Sequence, residues 1–356
     1  VKKSTAKKSP KSQAAKPAPP LKKIESFVEK PKARFKALLQ KIIKPLDYLF
    51  IFRPTLFFPV WIMSVAGYAG FYRFNGELVW WDWSFDPLIL VNFLAITVAA
   101  GATFIINQLQ DIETDKLNRK LFLISENYVQ PHTARLIAYY SIAITLVFFL
   151  LYDWQIFVTM AGVVLVWGYL YNCKPFVWKD KPVLGMVDNV ASGLLLYLTG
   201  WALAGYGQWK AFWYAVPYLT AWLAVSALTT IPDMKGDQQT QKKTFAIQFG
   251  LNGTIWLAVI CLAISFGLGM YFKDPVISLA ALLSAPLYLI MLFKPTVAWV
   301  LRSIRYPMLF IALALCTIFP WFFVAILGNF YLSRIYYVNR FNLNYPTFQI
   351  EEEQHD

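Results

Sequence analysis

The chain has 356 residues, 58% hydrophobic, 18% aromatic and 15% charged, which excludes an ordinary soluble globule and points to a polytopic membrane protein. Lys plus Arg number 33 against 20 Asp plus Glu, but the cations crowd into the first fifty-odd residues, so the net charge of +13 marks a basic tail and gives no case for nucleic acid. Cys173, Cys261 and Cys316 lie far apart in or beside apolar runs, and His132 and His355 are the only histidines, so a disulfide framework, a zinc knuckle and a Ser/His/Asp triad all lack material and any metal must be held by oxygen.

Residues 1 to about 45 combine Lys, Ser, Ala and Pro without an apolar period. They are expected to form a disordered tail drawn to anionic lipid headgroups, an organelle transit peptide being the alternative. Apolar runs of roughly 18 to 25 residues then recur, long enough to cross a hydrocarbon core of about 30 Å. They predict nine spans near 54–72, 88–110, 132–152, 154–172, 183–205, 212–232, 251–272, 276–294 and 306–331, with soft boundaries at the short turns near Asp153 and Asp274. The fold class is therefore all-α, in a multi-pass integral membrane protein. With a cytoplasmic N-terminus the same side receives basic residues such as Lys116, Lys174, Lys179, Lys181, Lys235, Lys242, Lys243, Lys294, Arg302 and Arg305. The other side keeps Arg73, Lys210, Lys273, Arg334 and Arg340. That asymmetry predicts cytoplasmic loops for the acidic motifs below, with a bacterial inner membrane favoured. Trp80, Trp81 and Trp83 suit an interfacial belt on the outer side. Residues 332–356 follow the last span as a tail whose role the sequence does not disclose.

Two acidic pairs carry the chemistry. In NQLQDIETD, Asp111 and Asp115 are four residues apart, with Asn107 one turn earlier, so a helix places all three on one face. IPDMKGD repeats the spacing with Asp233 and Asp237, with Lys235, Lys242 and Lys243 close by. Like charges so placed repel unless a divalent cation binds between them, and hard oxygen donors suit magnesium, which completes its shell with water and substrate phosphates. Either pair alone would read as a solvated helix end. Two pairs at the same side of one bilayer, with lysines around them, make a site for a diphosphate chelated through metal.

NQLQDIETD resembles the Asn-x-x-x-Asp-x-x-x-Asp motif of the UbiA superfamily of intramembrane prenyltransferases, and DMKGD followed by KKTFAIQFG resembles its second motif. Arg53-Pro54-Thr55 is similar to that family's first-helix opening, and YNCKPFVWK to its Tyr-rich mid-chain segment ending in Lys. The resemblance runs from about residue 50 to 330. It implies nine helices around a central cavity, over a domain placed at residues 46–331, with both motifs at the cytoplasmic rim. It further implies that Asn107, Asp111, Asp115, Asp233 and Asp237 hold two Mg2+ ions on an allylic diphosphate, with the aspartates catalytic. Lys179 and Lys243 would contact phosphates, with Arg119 or Lys120 as substitutes for a missing basic position. Arg53, Tyr171, Asn172 and Tyr139 would belong to the substrate cavity, and Tyr140 and Trp167 are further aromatic candidates for facing an allylic cation.

The sequence departs from the pattern in NRKLFLISENYV, which lacks the usual Pro, and at Gln241, where Gly is usual. The wording NQLxDxExDKxN resembles the homogentisate branch, so the expected reaction is polyprenyl transfer to an aromatic or quinone-precursor acceptor. A sugar phosphate, glycerol phosphate or chlorin acceptor is the alternative. The expected partners are a prenyl diphosphate, a small-molecule acceptor and the bilayer, with no obligatory protein partner. Competing classes are a cation transporter, which would bring ionisable groups such as Asp188 to midplane, and a scaffold without activity.

Overall fold

The computed structural model describes residues 43–84, 86–118, 122–207, 209–239 and 242–347. The chain divides into two units, residues 1–44 and 45–356, and the helices below belong to the second. The expected basic tail lies almost wholly outside the described residues, as do Arg119 and Lys120.

A short helix α1 (Asp47–Phe50) and a turn at Pro54–Leu56 precede the first long helix α2 (Phe57–Asn75). Helix α3 (Pro87–Gln110) follows an outer loop. Two short helices, α4 (Ile112–Asn118) and α5 (Phe122–Ser125), lead to α6 (Pro131–Tyr152) and then α7 (Trp154–Val163), which continues as a π-helix over Val164–Leu170. The remaining elements are α8 (Pro182–Ala204), α9 (Lys210–Thr229), α10 (Met234–Gln239), α11 (Phe245–Tyr271), α12 (Pro275–Phe293), α13 (Val297–Ile318) and α14 (Pro320–Phe341).

Among the described residues, eight helices are long and apolar enough to cross a membrane, and Trp154–Leu170 is a further, shorter apolar helix. The chain is an integral membrane protein. Proline and acidic caps punctuate the bundle where the hydropathy is continuous. Asp86 accepts from the Leu88 N–H at 2.8 Å ahead of Pro87, and Asp153 accepts from Gln155 and Ile156 at 2.8 and 3.1 Å. Asp274 caps α12 in the same way and pairs with Arg73 at the end of α2. The two turns that hydropathy alone left soft are thus fixed by carboxylate caps.

The long helices pack as neighbours in a ring: α2 on α8, α8 on α9, α9 on α11, α11 on α12, α12 on α13, and α13 back on α2. The α2–α8 contact depends on two glycines. A Cβ on Gly67 would lie 1.9 Å from the Tyr197 carbonyl oxygen, and one on Gly200 would lie 1.7 Å from that of Ser64, so only hydrogen permits this backbone approach.

The end of the chain differs from the expected single span over 306–331. Leu315 O is the last acceptor of α13, Phe319 leaves the helix at φ −117° and ψ 89°, and Pro320 opens a new helix. Helix α14 runs back alongside α13 through the expected tail boundary at 331 to Phe341. Its far end meets α1: Arg340 reaches Asp47 through Nε at 3.1 Å and Nη2 at 3.0 Å, and the Tyr336 hydroxyl donates to Asp47 at 2.7 Å. Arg340 therefore stands at the aspartate-bearing end of the bundle, not at the opposite one.

Candidate active site

Helix α3 ends at Gln110, and Asp111 is its C-cap; the next helix starts at Ile112, so the first acidic motif spans a helix break. Asn107 donates to Asp111 Oδ2 at 3.2 Å and to Asn172 Oδ1 at 2.7 Å. Asn172 follows the π-helix and donates to the Trp167 carbonyl at 2.7 Å, which fixes its amide. Lys179 Nζ, 9% exposed, donates to Asp111 Oδ2 at 2.7 Å and lies 3.5 Å from Asn172 Oδ1. Lys242 approaches Asp111 Oδ1 at 3.5 Å. One carboxylate thus gathers an amide from its own helix and two ammonium groups from two other stretches of chain. Gln108, on the other side of α3, is buried and donates to the Ile51 carbonyl at 2.7 Å, tying this end of α3 to the start of the bundle.

The second motif approaches from the opposite side. Asp233 and Asp237 are one turn apart, with Asp237 N donating to Asp233 O at 2.9 Å. Together with Asn107, Asp111, Lys179 and Lys242 they line a polar cavity of about 250 Å³. Asp111, Asp115, Asp233 and Asp237 all line an adjoining cavity of about 700 Å³ with Arg53 and Lys242. Burial, then the charge of Asp111, pushes the Asp115 carboxyl up to about 7 against the pull of Arg53, Lys242 and Lys179.

An apolar cavity of about 440 Å³ continues into the centre of the bundle, bordered by α2, α3, α8, α9, α11, α12 and α13. Its wall includes Arg53, Trp167, Tyr171, Tyr218, Trp222 and Tyr288. Asn107, Tyr171, Asn189, Ser226 and Thr229 border both this cavity and the 250 Å³ polar one, so a charged compartment opens directly on a hydrocarbon-compatible one. Trp167 and Trp222 stack with centroids 6.3 Å apart. Arg53 borders the apolar and the 700 Å³ cavities and takes a left-handed backbone, φ 57°, an unusual conformation for a non-glycine residue.

The expected residues divide accordingly. Asn107, Asp111, Asp115, Asp233, Asp237, Lys179, Arg53, Tyr171 and Asn172 gather around these connected cavities. Lys243 does not: it is exposed and Lys242 lines the cavities in its place, because the Lys242 N–H bonds back to Asp237 O at 3.0 Å and turns that side chain inward. Tyr139 and Tyr140 are likewise corrections. They lie on the outer face of α6, 58% and 66% exposed, and reach none of the three cavities. Asp188 is fully buried within α8, lines none of the three cavities, and neither of its oxygens has a hydrogen-bond partner among the described residues. Sequence reasoning missed Asn189, Tyr218, Trp222 and Tyr288, whose only signal was an aromatic or amide residue inside an apolar run.

Among the described residues no three His, Cys, Asp or Glu side chains are already drawn together as a metal cluster. The donor chemistry nevertheless fits magnesium. Four carboxylates and the Asn107 amide oxygen supply only hard donors, and they line one cavity or border it closely, as a divalent cation requires.

The model of the UbiA prenyltransferase family matches residues 74–306. A 2-acyl-4-prenylphloroglucinol 6-prenyltransferase of Humulus lupulus is 23% identical over 56% of this chain and 50% of its own length. A digeranylgeranylglyceryl phosphate synthase of Sulfurisphaera tokodaii is 27% identical over 54% of this chain and 68% of its own. A probable homogentisate phytyltransferase of Oryza sativa is 26% identical over 65% and 63%. The chain thus spans between half and about two thirds of the curated relatives it matches. A solved UbiA homologue of Archaeoglobus fulgidus bound to GPP and Mg2+ shares the fold at a TM-score of 0.53 and 21% identity, over 76% of this chain and 99% of the homologue. Helical ring, paired acidic motifs and family match agree: the chain belongs to the UbiA prenyltransferase family.

Proposed function

We propose that the protein transfers a prenyl group from an allylic prenyl diphosphate to a small acceptor within the membrane. The observation that carries this reading is the junction of a carboxylate- and lysine-lined cavity with a central apolar one through shared residues. An amphiphile with a polyanionic head and a hydrocarbon tail fits such a pair of compartments.

In this reading Asn107, Asp111, Asp115, Asp233 and Asp237 hold magnesium, as the structural relative's GPP and Mg2+ complex suggests. Bound magnesium supplies charge neutralisation on the departing diphosphate. Lys179 and Lys242 add point charges at the same mouth, and the Asn107–Asn172 pair orients Asp111. Diphosphate departure leaves positive charge on the allylic carbon. Tyr171, Trp167 and Trp222 present π faces that lower its energy without offering a strong nucleophile.

An aromatic acceptor is the favoured class, in line with the phloroglucinol and homogentisate substrates named for two relatives. The glyceryl phosphate product named for a third supports a second reading, a glycerol phosphate lipid as acceptor. The aspartate end is assigned to the cytoplasm: moving Arg340 to that end sharpens the Lys/Arg asymmetry. Purified protein incubated with geranylgeranyl diphosphate, Mg2+ and a panel of homogentisate, an acylphloroglucinol and a prenylglyceryl phosphate tests the proposal, with products identified by mass. A prenylated ring product supports it, a diprenylglyceryl phosphate supports the second reading, and unconsumed diphosphate with every acceptor refutes both.

A further inference from the structure

The matched family region ends at residue 306, yet the chain beyond it returns to the active site. Helix α14 is fastened at three levels. Asn329 donates to the Pro54 carbonyl at 2.8 Å, Tyr336 stacks on Phe50 with centroids 3.5 Å apart, and Arg340 grips both oxygens of Asp47. Asn342 then ends the helix in a left-handed conformation, φ 57°, and turns the chain across the mouth. The strap that follows is tied on its far side as well. The Tyr345 hydroxyl is 3.2 Å from Thr55 Oγ1, and Arg305 of α13 donates to the Thr347 carbonyl at 3.2 Å. Between these ties Leu343, Asn344 and Tyr345 line the same 700 Å³ cavity as Asp111, Asp115 and Arg53.

We propose that residues 342–347 form the outer wall of the 700 Å³ cavity at the aspartate mouth and limit the water that passes from it toward the allylic carbon, with Leu343 and Tyr345, 42% and 44% exposed, as the apolar side chains of that wall. The proposal rests on the prenyltransferase reading. When the carbon–oxygen bond to diphosphate breaks, the electron pair leaves with the diphosphate and the allylic carbon needs a nucleophile. An acceptor carbon bonds to it and then releases its proton. Water reaching it first bonds through oxygen, releases a proton to solvent and yields the prenyl alcohol. Two carboxylate pairs and two lysines make this end of the bundle strongly hydrated, so a closing element is needed at this mouth rather than at the apolar end. The strap is short, tied at both ends and carries an aliphatic and an aromatic side chain there.

The test uses the full chain in detergent with geranylgeranyl diphosphate and Mg2+ and no acceptor. Leu343→Ser, Tyr345→Ala and the two combined are compared with the unsubstituted chain, and Tyr345→Phe serves as the conservative control. Prenyl alcohol formation should rise about tenfold in the combined variant. Affinity for a non-cleavable thiolodiphosphate analogue should stay within about twofold, and Tyr345→Phe, which keeps the ring and loses only the Thr55 tie, should form less alcohol than Tyr345→Ala. Alcohol formation that stays at the original rate in variants that still bind the analogue overturns the proposal, and so does a rate change explained entirely by lost affinity. An unsubstituted chain that neither binds the analogue nor cleaves the diphosphate sinks the prenyltransferase reading and the proposal with it. Normal transfer by a chain whose strap variants behave identically sinks the strap alone.

Discussion

Asp111 is the residue on which most of the site converges, since two lysines and Asn107 meet its carboxylate. Asp111→Asn removes the charge and keeps the shape, so turnover should fall at least about a hundredfold while the helical content of the purified protein is unchanged. Lys179→Ala removes a short, largely buried charge-assisted contact and should weaken prenyl diphosphate binding by about tenfold or more, read as a rise in KM for the diphosphate. Tyr139→Ala should leave both constants unchanged, because that ring lies on the outer face of α6. The acidic motifs were legible because a four-residue spacing fixes which side chains share a helical face, whatever surrounds them. Lys242 and Lys243 are not distinguishable in the sequence, for a local reason. Adjacent residues point in different directions, and only the backbone turn onto Asp237 decides which one enters the cavity.

Among the elements, the long helices were legible from hydropathy because each backbone group in lipid must find its partner within its own segment. Their ends were less so: caps at Asp86, Asp153 and Asp274 are single residues whose effect depends on the backbone around them. The start of the last helix is hidden for the same reason, since one proline in a continuous apolar run is either a kink or a stop and hydropathy does not separate the two. Helix α14 owes its docking to the Asp47–Arg340 pair, in which the Asp47 side chain is 2% exposed. Arg340→Leu removes the counter-charge of that buried carboxylate, leaving it only the Tyr336 hydroxyl, and should cost roughly 3 kcal/mol, measured as a lower thermal unfolding midpoint at fixed detergent. Gly200→Ala probes the α2–α8 crossing. Its methyl meets the Ser64 carbonyl, so the helices must separate at a cost of about 3 kcal/mol by the same measurement.

At the scale of the whole molecule, the charge distribution and the return of α14 make one statement about topology. Residues 342–347 share an end of the bundle with the aspartates, whereas Lys273 lies at the end where α11 turns into α12. In sealed vesicles an impermeant maleimide should react with Asn344→Cys and Glu126→Cys from one side and with Lys273→Cys from the other, each above the background of the unsubstituted chain. The central cavity was the least legible feature. Its wall is assembled from seven long helices by single residues far apart in sequence, and in an apolar run nothing marks Tyr218 or Trp222 as facing inward rather than toward lipid. Ring closure of α13 onto α2 decides that, and it is a property of packing.

In the proposed reaction two carboxylate pairs jointly serve one diphosphate. Mg2+-dependent release of diphosphate from geranylgeranyl diphosphate, measured on the purified chain and on Asp111→Ala and Asp237→Ala in parallel, tests it most directly. Release by the unsubstituted chain, abolished by chelator and by either substitution in protein that stays folded, is the predicted result. Undiminished release by either variant would contradict the claim.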